Sequence, residues 1–210
     1  MLTSFKNLTG MKRLLAIIFL AVVLFSAWWF FLKKDTHQSE VKQEAIKVNK
    51  HSDEFNQSIT EAINGYLNMK NAFVEGDTVK IKVQCQKFIA TVDSLKLDDL
   101  KKDDQQILLA AKQELSDIKA NAEAMLLEND ITEMRQDFRM VSENLYPFLK
   151  TIAYEGPKLY WQSCSMAFGE NKEGNWLSNT SEIINPYLGK DNSLNKSAMD
   201  SCGETKDSLQ

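Results

Sequence analysis

The chain has 210 residues, room for one domain of ordinary size with flanking segments, which argues against a multidomain enzyme. Of its 25 basic and 29 acidic residues, residues 1 to 34 hold Lys6, Lys12, Arg13, Lys33 and Lys34 and no acid, so the remainder carries 20 bases against 29 acids. An acidic body of that kind lacks the positive footprint that phosphate binding needs, and nucleic acid is not an expected partner.

Leu14 to Leu32 is a run of nineteen residues whose only polar member is Ser26. As a helix it extends about 28 Å, close to the ~30 Å hydrocarbon core of a bilayer. Trp28, Trp29, Phe30 and Phe31 crowd its C-terminal end, with Lys33 and Lys34 just beyond. Bulky aromatics there do not suit a cleaved signal peptide, which ends in small residues. The expectation is a short arm at 1–13, a transmembrane anchor at 14–32 and a polar stalk at 33–52. Flanking charges are nearly balanced, so orientation rests on the shortness of the arm, which favours a cytoplasmic N-terminus. The expected location is the inner membrane, single-pass, with the C-terminal domain periplasmic.

From Asp77 to Glu155 the chain has no glycine and one proline, Pro147, and reads as helix. Four apolar stripes recur at helical spacing. The first is Phe55, Ile59, Ala62, Ile63, Tyr66 and Phe73, closed by Gly76, with Asp77 capping the next helix. Ile81, Cys85, Phe88, Val92 and Leu95 form the second, on which Cys85 is a small buried hydrophobe. Leu108, Ala111, Leu115, Ile118, Ala122 and Met125 form the third. The fourth is Ile131, Met134, Phe138, Val141, Leu145, Phe148 and Ile152, opened by Asp130 with Glu133 in capping-box position. The predicted fold is mostly α: an antiparallel four-helix bundle at 53–155, preceded by the transmembrane helix and followed at 156–207 by a small irregular cap containing a short strand or hairpin.

The cap is richer in glycine and proline and holds Tyr160, Trp161, Trp176 and Tyr187. It also holds two sulfur pairs, Cys164 with Met166 and Met199 with Cys202. On a strand, Cys164 and Met166 face the same side, and a turn brings Met199 and Cys202 together.

The segment Tyr160-Trp-Gln-Ser-Cys164-Ser-Met166-Ala, then Trp176-Leu-Ser, Asn185-Pro186-Tyr187 with Gly189, and Met199-Asp-Ser-Cys202-Gly203, resembles the signature of domain-of-unknown-function family 3347. On the bundle, Arg135, Phe138 and Ser142 are similar to that family's Arg-x-x-Phe-x-x-x-Ser pattern. The resemblance runs from about residue 55 to 207. It departs from the pattern at Ser165, where the family has proline, and in an insertion at Lys190 to Ala198. It implies an extracytoplasmic domain, found alone or fused to adaptor subunits of copper or silver efflux systems, so an efflux adaptor or other envelope protein is the expected partner.

Two readings of the sulfur residues stay open. Cys164, Met166, Met199 and Cys202 form a soft-ligand set suited to Cu(I) or Ag(I), or Cys164 and Cys202 form a disulfide pinning the tail. With no Cys-x-x-Cys and no histidine in the cap, catalysis is not expected. The expected role is a metal-homeostasis accessory that binds Cu(I), Ag(I) or a partner, or else a structural and interaction module with a stabilising disulfide.

Overall fold

A computed structural model describes residues 19–26, 28, 50–189 and 202–210. The chain divides into two units, residues 1–46 and 47–210. In the first, 19–26 is helical and exposed. Among the described residues no helix is long and apolar enough to cross a membrane. This corrects the transmembrane helix expected at 14–32, of which residues 14–18, 27 and 29–32 lie outside the described residues. The arm at 1–13 and the stalk through residue 49 lie outside the described residues.

The second unit opens with α1 (Asp53–Glu75), capped by Ser52, whose side chain accepts the amide of Phe55. Gly76, at φ 76°, closes α1 in the left-handed region that glycine tolerates. Asp77 begins α2 (Thr78–Ser94) by accepting the amide of Lys80. A 3-10 helix, Leu97–Lys102, leads to α3 (Gln105–Leu127), and α4 (Ile131–Thr151) follows behind the Asp130 cap. The helices pack in sequence order, α1 on α2, α2 on α3 and α3 on α4. Tyr66 on α1 stacks on Phe138 of α4 at 5.2 Å and closes the ring.

Side chains of the four stripes fill the core, with one shift of register. Ile107 is buried on α3 whereas Leu108 is only partly so. α4 continues unbroken through Pro147. His51, at the end of the expected stalk, belongs to the bundle: it is buried, its Nε2 lies 2.6 Å from the Ile152 carbonyl, and its ring packs on Phe55.

After α4 come β1 (Leu159–Cys164), β2 (Gly174–Ser178) and β3 (Glu204–Leu209). They form one antiparallel sheet in the order β2-β1-β3, with β2 packed against α4. The cap is therefore a three-stranded sheet rather than an irregular segment with a single strand or hairpin. β3 escapes a pattern search because Glu-Thr-Lys-Asp-Ser-Leu shows no apolar alternation: four of its residues are exposed, and backbone pairing defines it. It also runs past the expected cap boundary at residue 207.

Candidate functional site

Arg135, Phe138 and Ser142 sit at i, i+3 and i+7 on α4 and share one face, which receives the cap. Ser142 is fully buried. Four groups form a continuous chain of hydrogen bonds across the bundle–cap junction. The Leu177 amide donates to the Tyr66 hydroxyl at 3.1 Å, the Tyr66 hydroxyl to Ser142 Oγ at 2.7 Å, and Ser142 Oγ to the Phe138 carbonyl at 2.9 Å. Every donor in that chain finds an acceptor, as buried polar groups require. Burial drives the Tyr66 hydroxyl well above its ordinary pKa, so it stays protonated and able to donate.

Phe138 is the apolar counterpart of this chain. Its ring lies 4.7 Å from Phe73 and 5.9 Å from Tyr187, and Tyr187 meets Trp176 edge-on at 5.9 Å. Tyr187 is also buried, and its hydroxyl donates to the Asn175 carbonyl. The Asn185-Pro186-Tyr187 turn is organised by one amide side chain. Asn185 Oδ1 accepts the amides of Tyr187 and Leu188 at 2.8 and 3.2 Å, while its Nδ2 donates 2.9 Å to the Cys202 carbonyl. Pro186 is buried behind it. Arg135 lies against Gly189, where a Cβ would come within 2.8 Å of its guanidinium.

The sheet has its own polar centre in Gln162, which is fully buried. Its Oε1 accepts the Trp176 indole N–H at 2.8 Å, and its Nε2 donates to the carbonyls of Thr180 and Glu182, each at 3.1 Å. Gly203 passes so close to this centre that a Cβ would lie 2.7 Å from the Ser163 carbonyl and 2.9 Å from the Trp176 ring.

Cys164 ends β1 and is joined to Cys202 by a disulfide, with 5.6 Å between the Cα atoms. Met166 falls beyond the end of the strand, in a turn, and is 47% exposed, so it does not share a strand face with Cys164. Met199 and the insertion at 190–198 lie outside the described residues. Among the described residues no group of three or more His, Cys, Asp or Glu side chains is placed to hold a metal ion. In this oxidised form the set does not fit Cu(I) or Ag(I), because both thiolates that would supply its strongest donors are bonded to each other. Cys85 is the free cysteine of the three, buried on α2 with its Sγ 3.1 Å from the Ala122 carbonyl. Burial, reinforced by the Asp137 carboxylate, pushes its thiol up to about 12.

The arrangement is a docking seat for the cap, built largely from residues between Ala62 and Ile152. Residues 62–155 match a family model described as Protein of unknown function (DUF3347). Over that segment the chain is similar to the DUF3347 family. The match contains Tyr66, Lys70, Arg135, Phe138 and Ser142 and ends before β1, so the cysteines and the Asn185-Pro186-Tyr187 turn lie outside the matched residues. No curated protein and no solved structure matches the chain.

Three residues of the junction were not singled out from sequence as polar participants. Tyr66 falls in an apolar stripe of the sequence, and a tyrosine within such a stripe announces a hydroxyl in need of a partner. Gln162 lies in the Tyr160–Ala167 segment, where the sequence assigns it no role. Lys70, on α1, is 3% exposed, and its Nζ is 3.5 Å from Ser178 Oγ. Burial lowers its pKa to about 8.

Proposed function

We propose that this protein is a non-catalytic accessory of an oxidising, extracytoplasmic compartment, acting through protein–protein contacts, with an efflux adaptor or another envelope protein as its partner. The observation that carries the reading is the Cys164–Cys202 disulfide, which joins the end of β1 to the residues entering β3. Structural disulfides persist where the surroundings are oxidising and are rare in a reducing cytosol. The cap's inner face is committed to the bundle through the Leu177 amide on Tyr66 and the Tyr187 ring on Phe138, which leaves the outer surfaces of bundle and sheet for a partner. The copper and silver association comes from the resemblance of the cap motifs and supports the choice of partner.

Acid quenching of intact cells followed by thiol alkylation tests the compartment. Cys164 and Cys202 are expected to resist alkylation until a reductant is added; rapid labelling of both in untreated cells would refute it. A binding titration of the oxidised protein against the soluble adaptor of a co-resident efflux system tests the partner, and absence of saturable binding removes that assignment. Cu(I) titration against a competing chelator separates the metal reading: the oxidised protein is expected to take up none, and uptake lost in Met166→Leu would reinstate a metal role.

A further inference from the structure

β3 has a weak grip on the rest of the fold. Glu204 through Asp207 are exposed and Leu209 is its buried residue, so side-chain burial does little to hold it. Its ladder to β1 is broken by an irregularity: Asp207 faces Trp161 and Thr205 faces Gln162, leaving Lys206 without an opposite number. Its side-chain ties are Lys206 to Glu173, and Asp207 to Tyr146 and Lys150. All lie at the surface, where such pairs contribute little. The covalent tie is Cys164–Cys202, two residues ahead of Glu204.

We propose that this disulfide is a redox latch on β3: closed, it keeps β3 on the edge of β1; opened by a dithiol reductant, it lets β3 leave while the bundle and the β1–β2 hairpin stay folded. The hairpin has its own attachments to the helices, through Leu177 to Tyr66 and through the Phe138–Tyr187 contact, and its own internal tie from Trp176 to Gln162. None of these involves β3. The inference depends neither on the identity of a partner nor on a metal.

The two sulfurs differ in access, since Cys164 is 1% exposed and Cys202 only partly buried. A thiolate of the reductant therefore attacks Cys202 Sγ. That forms a mixed disulfide with Cys202 and breaks the Cys164–Cys202 bond, whose electron pair leaves on the Cys164 sulfur and takes up a proton. The reductant's second thiolate then attacks its own sulfur in the mixed disulfide, forming an internal disulfide and releasing the Cys202 thiolate, which is protonated. Two electrons and two protons have passed from the dithiol to the cysteine pair. Loss of β3 bares the backbone N–H and C=O groups along one edge of β1, the kind of edge to which an extended segment can add.

Hydrogen exchange read by mass spectrometry on the full chain, oxidised and after dithiol reduction, tests the latch. Amides of 204–209 are expected to lose protection by about a hundredfold, with those of α1–α4 and β2 unchanged. Equal protection of β3 in both states, or loss spread evenly over the helices, overturns the proposal. Cys202→Ser without reductant is expected to reproduce the reduced pattern, and a variant that keeps β3 protected overturns it equally.

Discussion

Tyr66 of α1 and Leu177 of β2, 111 residues apart in sequence, meet through a 3.1 Å hydrogen bond from the Leu177 amide to the Tyr66 hydroxyl. A helix side chain thus takes the place of a neighbouring strand at the β2 edge. The sheet can lie against the bundle without leaving that amide unpaired.

Tyr66→Phe is expected to strand the Leu177 amide and remove the partner of Ser142, at a cost of about 1–3 kcal/mol. Ser142→Ala should cost less, about 1 kcal/mol, because Tyr66 still accepts from Leu177. Urea unfolding of both variants checks the order, and a Ser142→Ala loss equal to or larger than that of Tyr66→Phe would contradict the relay.

Lys70 makes a pH prediction whose sign follows from its depressed pKa, about 8 in the folded chain against the ordinary 10.5. Below pH 8 the amine is protonated in both folded and unfolded chains, and the burial penalty is constant. Between 8 and 10.5 the unfolded chain binds more protons, so stability rises with pH. Relative to Lys70→Met, the wild type should gain about 2 kcal/mol between pH 8 and 9.5. The difference between the two proteins isolates Lys70 from Cys85, whose raised pKa acts in the opposite direction over the same range. Denaturant melts at three or four pH values suffice, and parallel pH profiles would show that Lys70 does not titrate as its burial requires.

Thiol chemistry supplies a count. The oxidised folded protein should show no reactive thiol, the oxidised unfolded protein one, from Cys85, and the reduced unfolded protein three. Thiol titration with and without denaturant, before and after reduction, checks the count.

Gly203→Ala meets two obstacles at once. Its φ of 147° strains any L side chain, and the new Cβ would press on the Ser163 carbonyl and the Trp176 ring. The carbonyl is backbone and cannot swing aside, so a loss of about 2 kcal/mol or more is expected. Trp176 fluorescence during unfolding reports it; an unchanged midpoint would mean that the strand entry relaxes freely.

The helices were legible because each must bury one face, and burial imposes a 3.6-residue period on the sequence itself. Phe55 to Phe73 and Met134 to Ile152 carry that period openly, and Asp77 and Asp130 mark helix starts by accepting the first free amides. The same logic misled at Leu14 to Leu32, where an apolar run long enough to span a bilayer was read as a spanning helix. Among the described residues no helix is long and apolar enough to cross a membrane.

The choice between a sulfur ligand set and a disulfide belonged to tertiary structure. Spacing placed Cys164 beside Met166, but β1 ends at Cys164 and leaves Met166 in the turn, while Cys202 arrives from 38 residues away. The role of Arg135, Phe138 and Ser142 was hidden for the same reason. Sequence put them on one face of α4, and only the packed cap shows that Ser142 supports Tyr66, Phe138 meets Tyr187, and Arg135 lies against Gly189. Periodicity is a local property, written by each helix for itself. Which distant segment fills a given face depends on the path of the chain between them, and local sequence does not encode it.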